Sequence, residues 1–207
     1  MFSIKESLKF GWEKFKANLE ISLLTTLLMV AVGSLTGKED MVLGWLFAFA
    51  LVVFLIIIRI GYTKIFLRIH DGESPKFTEI FQEYKTFWRY LGVSILMSLA
   101  VLGGLILLII PGIIWAVRFS FSPIIVVDTK LGPVASMKES YAITKGSFWH
   151  LFFFWIVLAL VNLLGLILFG VGLLITVPLT VLATVYVYRE LSKAKAGLMQ
   201  TASPQQT

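Results

Sequence analysis

Six apolar stretches, separated by short basic segments, limit what this chain can fold into. They run from about Leu19 to Leu35, Met41 to Ile60, Tyr90 to Ile110, Gly112 to Val127, Phe148 to Phe169 and Val171 to Val187. A helix rises ~1.5 Å per residue and a bilayer's hydrocarbon layer is ~30 Å thick, so about 20 apolar residues cross it. No water is available to the backbone there, and a single run must satisfy its own amides as a helix. The expected fold is an all-α membrane protein with six transmembrane helices as three helical hairpins, each preceded by a cytoplasmic amphipathic helix. Of the 207 residues, 58% are hydrophobic and 14% charged, with a mean hydropathy of +0.90. Water is therefore not the main solvent. The fourth stretch is short and carries Arg118 and Pro123, and is expected as a kinked or partly buried span.

Lysine and arginine resist translocation, so their placement sets orientation. Lys5, Lys9, Lys14 and Lys16 precede the first span, and Lys64, Arg68, Lys76, Lys85 and Arg89 lie between the second and third. Lys130, Lys138 and Lys145 separate the fourth and fifth, and Arg189, Lys193 and Lys195 follow the sixth. The opposite turns hold Lys38 alone. This asymmetry puts both termini on the cytoplasmic side of the membrane. It also accounts for the net charge of +6 without nucleic acid, because the basic residues sit at helix ends and form no patch on a soluble domain.

The sequence has no cysteine, which excludes disulfides, thiolate metal sites and cysteine nucleophiles. His70 and His150 fit no metal-binding spacing, and no phosphate-cradling loop, nucleophile elbow or close pair of intramembrane carboxylates is present. No cofactor, metal or catalytic set is expected. The first 18 residues lack a short apolar core and a cleavage site, so the amino terminus is expected to be retained. Residues 1–195 read as one membrane domain, and 196–207 as a disordered tail.

With Leu19, Leu91 and Leu151 set in register, a threefold pattern emerges: an amphipathic segment, an apolar run, a glycine-bearing break and a second run. The units span about 3–69, 76–128 and 133–191. Phe10, Trp12 and Phe15, then Phe77, Phe81, Phe87 and Trp88, alternate with charged and polar residues, as in helices lying among lipid headgroups. Such a collar either holds anionic lipids or simply anchors the bundle.

Arg118 is the residue with most at stake, since an arginine deep in a span costs several kcal/mol unless it finds water or polar partners. Ser120, Ser122, Asn162 and carbonyls freed by Pro123 are its expected partners, making Arg118, Ser120, Ser122 and Asn162 a candidate intramembrane polar site. It serves either a substrate or lipid phosphate, or packing alone. Arg59 is expected at the end of the second span, its guanidinium reaching water. Pro111 and Gly112 are expected to form the outer turn between two spans, with a broken, solute-coordinating helix as the alternative.

The stretch LIIPGIIWAVRFSFSPIIVVDTKLGPVASMKESYAITKG resembles the core of bacterial membrane families related to the membrane domain of glycerophosphoryl diester phosphodiesterase. The matching residues are Pro111, Gly112, Arg118, Phe119, Asp128, Ala135, Ser140, Lys145 and Gly146. In those phosphodiesterases a separate catalytic barrel follows the membrane region. The resemblance implies a stand-alone member without that barrel, placed in a prokaryotic plasma membrane, and activity does not carry over. The expected role is a non-enzymatic membrane protein that associates with lipids, mainly anionic headgroups, or organises a partner or a homo-oligomer. A small-solute transporter or channel is the alternative, and a membrane-embedded lipid-modifying enzyme comes third.

Overall fold

The computed structural model describes residues 3–33, 41–167 and 172–202, with side chains over 3–27, 49–167 and 172–197. The helices are α1 (Ile4–Ala17), α2 (Leu19–Gly33), α3 (Met41–His70), α4 (Phe87–Leu107), α5 (Ile109–Phe119), α6 (Ser122–Thr129), α7 (Pro133–Ile143), α8 (Phe148–Ile167) and α9 (Leu173–Ala202), with a 3-10 helix at Phe77–Thr86. Among the described residues there is no strand. The protein is an all-α, multi-pass membrane protein.

Five segments are long and apolar enough to cross a bilayer: Phe49–His70, Phe77–Leu107, Ile109–Thr129, Phe148–Ile167 and Leu173–Gly197. The first expected span falls on α2, which is not among these five: its 15 described residues rise about 22 Å. Ser34 and Leu35, the last residues of that expected span, lie outside the described residues, as do Phe169 and Val171.

Local chemistry sets most of the boundaries. Ser3 caps α1 by accepting the Glu6 N–H at 3.4 Å, Glu6 sits in its first turn, and Lys14 and Lys16 lie in its last. That charge order follows the helix dipole. The helix α3 starts where the second apolar run starts, but continues ten residues past the expected end at Ile60. Arg59, Lys64 and Arg68 lower hydropathy yet are sound helix formers. The first real breaker is Asp71 with Gly72, whose φ is +87°.

The reversal between α4 and α5 falls at Leu108, in extended conformation, not at Pro111 and Gly112 as expected. Pro111 instead occupies the first turn of α5, where a missing N–H leaves no hydrogen bond unmade. Gly112 serves helix contact: a Cβ added to Gly104 would lie 2.8 Å from the Gly112 Cα, so the two backbones touch. The apolar tip from Ile106 to Ile110 is about 70% exposed or more. In water such a patch would drive association, whereas in hydrocarbon it is ordinary.

The fourth span is broken, as its sequence suggested. Helices α5 and α6 are interrupted at Ser120 and Phe121, and Pro123 stands in the first turn of α6. The last helix, α9, carries Pro178 within it and continues through Ala202. The expected disordered tail is therefore helical from Ala196 to Ala202: α9 carries on through Gly197, with the good helix formers alanine, lysine, leucine and methionine around it.

The core lies where α3, α6, α8 and α9 meet, with Phe66, Phe121, Phe154 and Leu182 fully buried. Helix α1 lies along α9, and Gly11 permits it: a Cβ there would stand 2.8 Å from the Leu179 carbonyl oxygen. The Phe10 ring contacts both His70 and Tyr186 at 4.9 Å. One face of α1 is thus taken by protein.

Candidate functional site

A cavity of about 430 Å³ opens between α3, α6, α8 and α9. Its polar lining includes Arg59, Tyr62, Tyr90, Ser120, Asn162 and Thr180, and its apolar wall includes Ile124, Leu158, Val177 and Val181. The volume falls within the ~300–1,000 Å³ of small-molecule sites. Two proline-bearing spans flank it. Pro178 removes an N–H from the ladder within α9, and Pro123 opens α6 directly after the break at Ser120 and Phe121, so the helical ladder is interrupted on both sides of the cavity.

The lining residues Arg59 and Ala159 are exposed, whereas Tyr90 and Leu158 are buried. The opening therefore lies on the side of α3 and α8. Among the described residues these helices do not pack closely against each other, while each packs on α9. Most hydroxyls in the wall bond back to their own helices: Ser120 Oγ donates to the Val117 carbonyl at 2.8 Å, and Thr184 Oγ1 to that of Thr180 at 2.7 Å. Asn162 Nδ2 donates to Thr180 Oγ1 at 3.4 Å. Its Oδ1 and the Trp155 Nε1 are buried without a partner.

Of the residues expected to act with Arg118, Ser120 and Asn162 line this cavity, whereas Ser122 is fully buried. Arg118 is elsewhere, which corrects the expected grouping. Its Nη1 donates to the Thr144 carbonyl at 2.6 Å, just past the end of α7, and its guanidinium lies 5.1 Å from the Tyr141 ring centre. Ser140 Oγ donates back to the Arg118 carbonyl at 2.7 Å. The break after α5 frees that carbonyl, and α7, close by in space, supplies the partner in place of Ser120, Ser122 or Asn162.

The other residues of the signature fall in structural places. Pro111 and Gly112 form the entry of α5, and Ala135 is exposed on α7. Lys145 is exposed beside Gly146, whose φ of +84° turns the chain into α8. Asp128 closes a cluster at the basic end of the bundle: Arg189 Nη1 donates to its Oδ2 at 2.7 Å and Tyr188 OH to the same oxygen at 2.8 Å. Arg189 Nη2 also donates to Asp71 at 2.6 Å, tying α3, α6 and α9 together. Partial burial would raise the Asp71 carboxyl, but its hydrogen bonds with His70 and Arg189 outweigh it and hold the group below its ordinary 3.8. Among the described residues no group of histidine, aspartate and glutamate side chains is arranged to hold a metal.

Sequence reasoning missed Arg59 and Trp155. Arg59 was expected at a helix end, yet α3 continues well beyond it, and its neighbours Tyr62 and Thr63 line the same cavity. A polar pair at i+3 and i+4 after an arginine within an apolar run was the available signal.

Fold and cavity together define a polytopic helical membrane protein with a pocket inside its bundle. No family model matches the chain, and no solved structure matches it. It is similar to an uncharacterised protein of Mycobacterium bovis, 30% identical over 152 residues, and to uncharacterised proteins from two strains of Mycobacterium tuberculosis, 30% identical over 152 residues and 31% over 157. Each comparison takes in 73% of this chain and 46% of the relative, so the chain spans about half the length of the curated relatives it matches.

Proposed function

We propose that the chain is a non-enzymatic, lipid-associated protein of a prokaryotic plasma membrane, with both termini cytoplasmic. The observation that carries this reading is the cavity: a mainly apolar wall opens between α3 and α8, with an exposed arginine at its edge. A bilayer lipid can enter such a space sideways without crossing water. The lining supports a binding role, since its one charged side chain is Arg59 and its hydroxyls at Ser120, Thr180 and Thr184 are engaged with their own helices. Orientation rests on the lysines and arginines at one end of the bundle.

Kinship with the membrane families related to the phosphodiesterase membrane domain is part of the proposal, as is a threefold repeat. Element order supports the repeat: α1, the 3-10 helix and α7 each precede a pair of apolar segments. These leading segments carry the lysines that would meet anionic headgroups. A homo-oligomer or membrane partner would use the exposed apolar faces of α4 and α8.

Native mass spectrometry of protein taken directly from membranes tests the reading. Retained lipid at one per chain is expected. A spectrum with no lipid, no partner and no oligomer contradicts it.

A second reading, a small-solute transporter or channel, draws on the polar lining at Arg59, Tyr62, Asn162 and Thr180, which would suit a hydrated path. Solute flux in liposomes that stops when the cavity is filled would favour it.

A further inference from the structure

The chain has five arginines, and four of them are held by protein acceptors. Arg68 pairs with Glu73 and Glu79, Arg89 with the Lys130 carbonyl, Arg118 with that of Thr144, and Arg189 with Asp71 and Asp128. Arg59 alone makes no hydrogen bond or ion pair through its guanidinium with any described residue, and it is the one that lines the cavity. An arginine within an apolar span requires water, an anion or polar groups to offset its desolvation. Trp155 belongs to the same lining, but its Nε1 is buried within the wall. The cavity thus offers Arg59 as its one charged donor and no carboxylate to meet it. Ile124, Leu158, Val177 and Val181 provide an apolar wall.

Size narrows the choice. About 430 Å³ is room for about fourteen groups the size of a water molecule at ~30 Å³ each, which suits one acyl chain and not a pair. We infer that the cavity is a binding site for a single-chain anionic amphiphile. Its carboxylate or phosphate accepts hydrogen bonds from the Arg59 guanidinium, and its chain enters between α3 and α8 to lie along Ile124, Leu158, Val177 and Val181. This deepens the lipid-associated reading and rests on it.

The test uses the full chain, delipidated in detergent, titrated with oleate, with lysophosphatidylglycerol and with neutral monoolein, which has neither carboxylate nor phosphate. At least one anionic probe is expected to bind one per chain and roughly tenfold or more tighter than the neutral one, the advantage of a charge-assisted hydrogen bond. Whether oleate or lysophosphatidylglycerol binds tighter assigns the head as carboxylate or phosphate. Arg59→Gln is expected to remove the preference and Arg59→Lys to keep most of it. Ala159→Trp, which fills the opening and leaves Arg59 intact, is expected to weaken all three and serves if Arg59→Gln does not fold. Equal binding of the three probes, or a preference that survives Arg59→Gln, overturns the inference while leaving a lipid-associated protein. Binding of none of the three removes both.

Discussion

The Arg118 Nη1 donates to the Thr144 carbonyl at 2.6 Å and so fastens the broken fourth span to the end of α7. The break leaves a carbonyl in need of a donor at Arg118, which Ser140 Oγ supplies at 2.7 Å, and the end of α7 leaves one at Thr144, which the arginine supplies. The arginine's positive charge also sits where the α7 dipole is negative.

Arg118→Leu is therefore expected to destabilise the protein by about 1.5–3 kcal/mol, the range for a hydrogen bond to a charged group. Reversible unfolding in mixed micelles measures it. Unchanged or improved stability would mean that the arginine has no structural role.

Gly61 gives a sharper test of packing, because two effects there have opposite signs. In a helix, alanine is favoured over glycine by about 1 kcal/mol. A Cβ at Gly61, however, would stand only 1.8 Å from the Ile80 carbonyl oxygen of the 3-10 helix, and overpacking typically costs about 1–3 kcal/mol, occasionally more. The clash involves backbone and should win, so Gly61→Ala is expected to lower the melting temperature. A rise would place the 3-10 helix farther from α3.

Asp128 and Arg189 are 14% and 22% exposed at their side chains, shielded enough for their pairing to matter. Asp128→Asn and Arg189→Gln are each expected to destabilise, and the double variant by less than their sum. The coupling should be about 0.5–3 kcal/mol, as for residues in one network. Additive effects would mean that the two do not interact.

Asp71 sets an acid limit on the same cluster. Its folded carboxyl lies below its ordinary 3.8, so its stabilisation is complete above that value and is lost as pH falls through the lower folded one. Exposure of 39% leaves the pair screened and the effect modest. Asp71→Asn should flatten stability below about pH 4 relative to the parent, as measured by melting temperature against pH.

Because the chain has no cysteine, single cysteines report topology without a background. Lys76, Lys138 and Lys193 are exposed, and cysteines at all three are expected to be labelled by impermeant reagent from the same side. Labelling of Lys76→Cys and Lys138→Cys from opposite sides would refute the proposed orientation.

Helix starts were legible wherever an apolar run began abruptly, as at Leu19, Met41 and Phe148. Helix ends were less so, since hydropathy marks where lipid ends and not where hydrogen bonding ends, and α3 and α9 outrun it. Pro111 misled because a proline suits the first turn of a helix as well as the end of one. The Arg118 partners, Thr144 and Ser140, lie more than twenty residues away, and the Asp128 to Arg189 pair spans sixty-one. No local pattern encodes such distances. Asn162 and Ser120 were found as polar residues in apolar runs, but only the packing of four helices makes Arg59 their neighbour.

The central claim is that lipid occupies the space between α3 and α8, and a photo-reactive benzophenone side chain in place of Ala159 tests it in intact membranes. Ala159 is exposed and lines the cavity, so illumination is expected to add the mass of one lipid molecule to the chain. The same group placed on Lys193, outside the cavity, should add far less. A chain that gains no lipid mass at Ala159, or gains it equally at both positions, would contradict the account.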